Sequence, residues 1–180
     1  GVALLTLGYD VNSTDESQLA EAKQKLIELM PNIRVFDSDS PKTPLLAGDV
    51  DLGIVWNSEA FLAQQENPAF EYVFPEEGSI IFYDGMGIPV NAPHPDISYA
   101  WFNYLMQGDV FWLTLVDYPY TNPNSAALEF ARANQTEVYD AYISSAITNT
   151  PAEMFAKGHE VQDLGAALSL YDEIWTEIKQ

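Results

Sequence analysis

The chain has 180 residues, enough to bury a real core as one domain or two small lobes, and its 47% hydrophobic content is that of a folded protein. Its net charge of -20 comes from scarce Lys and Arg (7) set against 27 Asp and Glu. Such a field repels nucleic acid and anionic lipid headgroups and attracts cations. There is no Cys, so disulfide and thiol chemistry are excluded. No apolar run is long enough to span a bilayer.

Gly1 to Gly8 reads as the last turns of a helix closed by glycine, with no initiator Met and no upstream cap. The expectation is a fragment whose N-terminal portion lies elsewhere. Ser13-Thr14-Asp15-Glu16 has the form of a capping box, with Ser13 as N-cap. The helix it predicts places Leu19, Ala22, Leu26, Leu29 and Met30 on one face and stops before Pro31. Residues 33–36 predict a short strand, 37–44 a polar loop, and 45–48 a helical turn stopped by Gly48. The apolar run 51–56 suits a buried strand ending in Trp56, after which Asn57 or Ser58 caps a helix.

Strands are expected at 71–74 and 79–83, around a turn at 75–78. Residues 97–106 predict a helix ended by Gly108, and 110–116 another. A loop punctuated by proline follows to Pro123, then an irregular helical stretch from Asn124 to about Ile147. Pro151 opens a short helix, and an amphipathic helix with Leu164, Ala167, Leu168, Leu170, Tyr171, Ile174, Trp175 and Ile178 closes the chain. Strands alternating with helices imply an α/β layered fold with a mainly parallel sheet.

The chemistry concentrates around Asp84, which ends the apolar run Ile80-Ile81-Phe82-Tyr83 and has Trp56 upstream and Tyr120 downstream. A carboxylate beside aromatic rings suits an organic cation, the charge pairing with an ammonium and the rings covering methylenes. The competing reading makes Asp84 a turn residue bonded to its own backbone, and Trp56 an ordinary boundary tryptophan. Tyr118 and Tyr120 flank Pro119 on a loop of the kind that carries binding residues. Asp37-Ser38-Asp39-Ser40 alternates oxygen ligands but lacks the glycine and distal Glu of an EF-hand loop. His94 and His159 stand alone and are expected to face solvent, so no transition-metal site is expected. None of the nucleophile-elbow, zincin, Walker or dinucleotide motifs is present, so nothing demands an enzyme or a cofactor.

Several segments together resemble the spermidine/putrescine-binding proteins, the extracytoplasmic solute receptors of polyamine ABC transporters. They are Leu7-Gly8-Tyr9, Leu29-Met30-Pro31-Asn32, Phe36-Asp37-Ser38-Asp39, Leu52-Gly53-Ile54-Val55-Trp56-Asn57, Pro75-Glu76-Glu77-Gly78, Asp84, Ile88-Pro89-Val90-Asn91-Ala92, Tyr120-Thr121-Asn122-Pro123-Asn124 and Leu164-Gly165-Ala166-Ala167 with Tyr171-Asp172-Glu173. They stand in the family's order across the whole chain.

The resemblance implies an α/β fold of the type II periplasmic-binding-protein kind, two-lobed with mixed sheets, of which this chain is the second half. Residues 1–82 would lie in the second lobe, 83–125 would return to the first, and 126–180 would finish in the second. It further implies that Trp56 stacks on the polyamine, Asp84 binds an amine, Tyr120 and Ser38 line the site, and Phe82 stands where the best-known member of the family has a tryptophan. An amide of the family falls at Val161 or the adjacent Gln162. An ABC permease would be the partner, and the periplasm or a lipid-anchored cell surface the location. Rival readings are a receptor for a sugar or ferric ion, and an α/β hydrolase fragment.

Overall fold

The computed structural model describes residues 1–179. In chain order the elements are α1 (Val2–Thr6), α2 (Glu16–Leu29), α3 (Lys42–Ala47), α4 (Asn57–Glu66), β1 (Ile80–Ile81), α5 (Pro95–Leu105), α6 (Gly108–Asp117), α7 (Ser125–Asn134), α8 (Thr136–Ser144), α9 (Ala152–Phe155), β2 (His159–Glu160) and α10 (Leu168–Ile178). Short 3₁₀ turns extend α2 at Met30–Asn32 and precede α10 at Gly165–Ala167.

The chain divides into two compact units. The first contains Gly1–Phe36, Val73–Tyr83 and the C-terminal segment from Ala152. Here α1 and α10 pack on α2, burying Ala3, Leu4, Leu19 and Ala22 with Leu26, Leu170, Tyr171 and Ile174 around them. Alanines at the contact let the helix backbones approach closely, and the larger side chains fill the rim. The Tyr171 hydroxyl donates to the Ser13 carbonyl at 2.6 Å, tying α10 to the turn before α2.

The α2 N-cap is Asp15, not Ser13. One Asp15 carboxylate oxygen accepts from the amides of Ser17 and Gln18 at 2.9 and 3.0 Å, a charge-assisted pair that a hydroxyl cannot match. Ser13 instead donates to the Gln18 side chain at 2.6 Å.

In the same unit β1 pairs in parallel with β2, Ile80 opposite His159 and Ile81 opposite Glu160. Gly78 precedes β1 at φ +90°, where a Cβ would meet the Lys157 carbonyl oxygen at 2.0 Å, so only glycine fits there. His159 does not face solvent freely: it is half-buried, and its Nε2 lies 2.7 Å from the Glu77 carbonyl oxygen.

The second unit contains Asp37–Tyr72 and Asp84–Pro151. Its core is the α6–α7–α8 packing: Trp112 and Leu115 against Ala127, Ala131 and Tyr142. Trp112 is fully buried, meets the Tyr142 ring edge-on at 5.7 Å and gives its indole N–H to Gln135 Oε1 at 2.9 Å. The large ring buries area without leaving a polar atom unpaired. Separately, α3 packs on α4. Gly108 does not end α5, whose C-cap is Met106, but is the first residue of α6.

Three expected strands are not strands. Residues 33–36, 51–56 and 71–74 have no ladder partner among the described residues. Ile33 and Trp56 keep extended backbone angles, so local preference is present and the pairing is missing. The run 51–56 is not buried either, with Leu52 88% and Ile54 82% exposed. Of 79–83, only Ile80 and Ile81 pair.

Candidate functional site

Trp56 sits at the N-cap of α4 in an extended conformation that turns the chain into the helix, and its carbonyl accepts the Ala60 amide at 3.0 Å. Neither Asn57 nor Ser58 caps α4, because both already lie inside it. The Trp56 ring is 42% exposed. Its indole N–H donates to the Ser38 carbonyl at 3.0 Å. Ser38 therefore meets Trp56 through its backbone, on a loop shaped by Asp37, whose Oδ1 accepts the amides of Asp39 and Ser40 at 2.9 and 3.0 Å. The Asp37 carboxylate thus serves its own turn, as Asp does in an Asx turn.

Tyr120, 39% exposed, lies on the 118–124 loop, which is held at several points. The Tyr142 hydroxyl, on a ring only 3% exposed, donates to the Tyr120 carbonyl at 2.6 Å. Burial pushes the Tyr142 phenol up to about 12, with a backbone hydrogen bond from Asn122 pulling the other way. Asn122 Oδ1 accepts the Asn124 amide at 2.8 Å, and Asn124 caps α7 through the Ala127 amide while donating to the Met106 carbonyl at 3.0 Å.

The Trp56 and Tyr120 segments are joined by Asn57. Its side-chain amide donates to Thr121 Oγ1 at 3.3 Å and to the Ile147 carbonyl at 3.2 Å. The sequence marks Asn57 as a candidate helix cap and places it and Thr121 in segments that match the family, but it gives neither a role at the site and gives no signal for Tyr142. The Asn-Thr pair offered no spacing signal, since 64 residues separate the two partners.

Asp84 opens the second stretch of this unit and is exposed. Trp56, Ser38, Tyr120 and Asp84 thus share one unit. Phe82, 57% exposed, and Gln162, exposed, belong to the other. The Gln162 backbone N–H donates to Asn12 Oδ1 at 2.8 Å, and Asn12 Nδ2 in turn donates to the Glu160 carbonyl at 2.9 Å, so Asn12 clamps the backbone just beyond β2 that carries Gln162.

The profile of the bacterial extracellular solute-binding protein family matches residues 2–144. A spermidine/putrescine-binding periplasmic protein of Salmonella typhimurium is 34% identical over 99% of this chain and 49% of its own length. Its Escherichia coli counterpart gives the same figures. A putrescine/agmatine-binding protein of Pseudomonas aeruginosa is 32% identical over 79% of this chain and 41% of its own length. A solved structure of a candidate spermidine/putrescine ABC transporter protein from Listeria monocytogenes covers all of this chain and 54% of that one, with a TM-score of 0.85 at 26% identity. The chain spans about half the length of the curated relatives it matches from end to end. Its fold is that of the periplasmic binding proteins, rich in helix with a small sheet. The chain belongs to the bacterial extracellular solute-binding protein family.

Proposed function

We propose that this chain is part of an extracytoplasmic receptor that captures a polyamine, spermidine or putrescine, and delivers it to an ABC permease without catalysing a reaction. The observation that carries the reading is Trp56, an exposed indole held in place by its own N–H on Ser38. A polyamine alternates ammonium groups with short methylene runs, and an aromatic plane serves both. Each cation–aromatic contact contributes about 0.5–2 kcal/mol, according to how far it is desolvated.

Asp84 supplies the countercharge in this reading. Phe82 is an apolar wall, Tyr120 a second ring, and Ser38 and Gln162 polar contacts. Relatives named as polyamine-binding proteins support the ligand class, and the two enterobacterial ones, named as periplasmic, support an extracytoplasmic location; a lipid-anchored cell-surface form is the alternative within this proposal. Among the described residues no helix is long and apolar enough to cross a membrane. The lobe boundaries at 82/83 and 125/126 belong to this proposal and concern the whole receptor, whereas the compact units describe packing within the chain. A receptor for sugar or ferric ion is the rival within the same fold. An anionic solute fits poorly, because Arg34 and Arg132 are the only arginines.

Titration calorimetry on the full-length receptor decides the matter. Heat and a thermal shift are expected with spermidine or putrescine and not with maltose, glycerol phosphate or ferric ion. Silence with both polyamines sinks the proposal. Asp84→Asn should raise the dissociation constant by an order of magnitude or more, since it removes the charge but keeps the shape. An unchanged constant removes Asp84 from the site.

A further inference from the structure

Trp56 and Tyr120 are each followed in sequence by one end of the same hydrogen bond, Asn57 to Thr121. The Asn57 amide carries two hydrogens, and each has its own acceptor: Thr121 Oγ1 at 3.3 Å and the Ile147 carbonyl at 3.2 Å. The second acceptor belongs to a firm turn. Ile147 and Thr148 are buried, the Asn149 amide donates to the Ser145 carbonyl at 2.9 Å, and the Thr148 hydroxyl donates to the Tyr142 carbonyl. Tyr142 in turn holds the Tyr120 carbonyl. The start of α4 and the Tyr120 loop are thus both referred to one buried hub, and Asn57, the first residue of α4, bonds to the loop at Thr121 and to the hub at Ile147.

We propose that Asn57 is a positioning residue that sets the separation and tilt of the Trp56 indole relative to the Tyr120 ring, and so selects between a short diamine and a longer triamine. This deepens the polyamine reading and rests on it. The Ile147 carbonyl can only accept, so the side chain at 57 must donate there, whereas the Thr121 hydroxyl can accept or donate. Asp at this position has the same shape and can accept from the Thr121 hydroxyl, but it sets a carboxylate oxygen against the Ile147 carbonyl, which detaches the start of α4 from the buried turn. Thr121→Val removes one acceptor at an exposed site with little change in volume.

The test is titration calorimetry of the full-length receptor with putrescine and with spermidine, alongside thermal unfolding of each variant. Asn57→Asp and Thr121→Val should each weaken binding by about fivefold to tenfold, the worth of one hydrogen bond. They should weaken the two ligands unequally, shifting the ratio of their dissociation constants by about threefold or more, because ligands of different length respond differently to a displaced wall. Asn57→Ala combined with Thr121→Val should cost less than the sum of the single changes, the mark of a shared contact.

A merely structural Asn57 would lower the melting temperature and leave the ligand ratio where it was, and that result overturns the inference. Dissociation constants within twofold of wild type in the folded variants overturn it too. If Asn57→Asp fails to fold, Thr121→Val alone decides on the same criteria. A wild-type receptor that binds neither polyamine removes the underlying reading. A wild-type receptor that binds, with variants indifferent to ligand length, removes only the role of Asn57.

Discussion

Replacing Tyr142 with Phe deletes one oxygen from a buried ring and leaves its contacts with Trp112 in place. The lost hydroxyl is the donor to the Tyr120 carbonyl at 2.6 Å. A hydrogen bond of this kind contributes about 0.5–1.5 kcal/mol net, and a buried acceptor left without a donor costs about 1–3 kcal/mol. Tyr120 is 39% exposed, so water can reach part of its surroundings and the lower half of that range applies. Tyr142→Phe should therefore lose about 1–2 kcal/mol at pH 7, read as a shift of roughly 0.5–1 M in a urea midpoint at the usual slope.

The same residue makes a second, independent demand. The phenol titrates at about 12 in the fold against an ordinary 10, so the folded state holds its proton longer. The neutral phenol's contribution is complete below pH 10 and is lost as pH rises from 10 towards 12, by about 3 kcal/mol at most. Urea unfolding of wild type and Tyr142→Phe at pH 7, 9, 10 and 11 should show wild type losing stability faster above pH 10, until the gap between them closes or reverses. Tyr72 and Tyr171 are also raised by burial, so the difference between the two proteins isolates Tyr142. Equal stability at pH 7 with parallel curves above pH 10 would refute both the bond and the burial.

The remaining predictions concern the frame. Asp15→Ala should cost about 1 kcal/mol in chemical unfolding by removing the α2 cap, and Ser13→Ala distinctly less; the reverse order would restore Ser13 as the cap. Gly108→Ala should destabilise by about 1–3 kcal/mol in thermal unfolding, because the added Cβ would meet the Ala126 carbonyl oxygen at 2.4 Å and drive α6 off α7. Lys23→Ala should change stability by under about 1 kcal/mol despite the ion pair with Glu177, since both partners reach solvent.

What the sequence revealed tracks how local each interaction is. The faces of α2 and α10 are legible because residues three and four apart meet on a helix, and Leu19, Ala22, Leu170 and Ile174 do pack together. Glycine stops are legible for the same reason, as Gly8 and Gly48 at positive φ confirm. Caps are less so, because three oxygen-bearing side chains stand side by side at 13–15 and only geometry ranks them. Strands fail furthest. Residues 51–56 have the composition of a buried strand, yet burial and pairing depend on partners distant in sequence, and among the described residues Leu52 and Ile54 stay exposed and outside any ladder.

At the candidate site, Trp56 and Tyr120 could be named, whereas the means of holding them could not. Tyr142 lies on α8 and looks from sequence like one more apolar position. Asn57 looks like a helix cap until the backbone shows Trp56 in that role. Its amide is then committed to residues 121 and 147.

Charge and aromatic placement divide the work of such a site. Among the described residues Lys23 pairs with Glu177 and Lys42 with Glu66. Even if each of the 7 basic residues held one carboxylate, 20 of the 27 would remain, so the acidic excess cannot be absorbed within the chain. It acts outward, raising the local concentration of any cation, and is screened over about 8–10 Å at ordinary salt. A field of that kind does not tell sodium from a polyamine or one polyamine from another. Discrimination has to come from groups held at fixed separation, and exposed loops hold nothing fixed unless something inside anchors them. Here the anchor is buried Tyr142 with the 145–149 turn, and the Asn57 amide, next to the exposed Trp56, bonds to that turn. A small change in that amide should therefore be felt in selectivity, whereas the loss of any one surface carboxylate away from the site should be felt only in the rate of encounter.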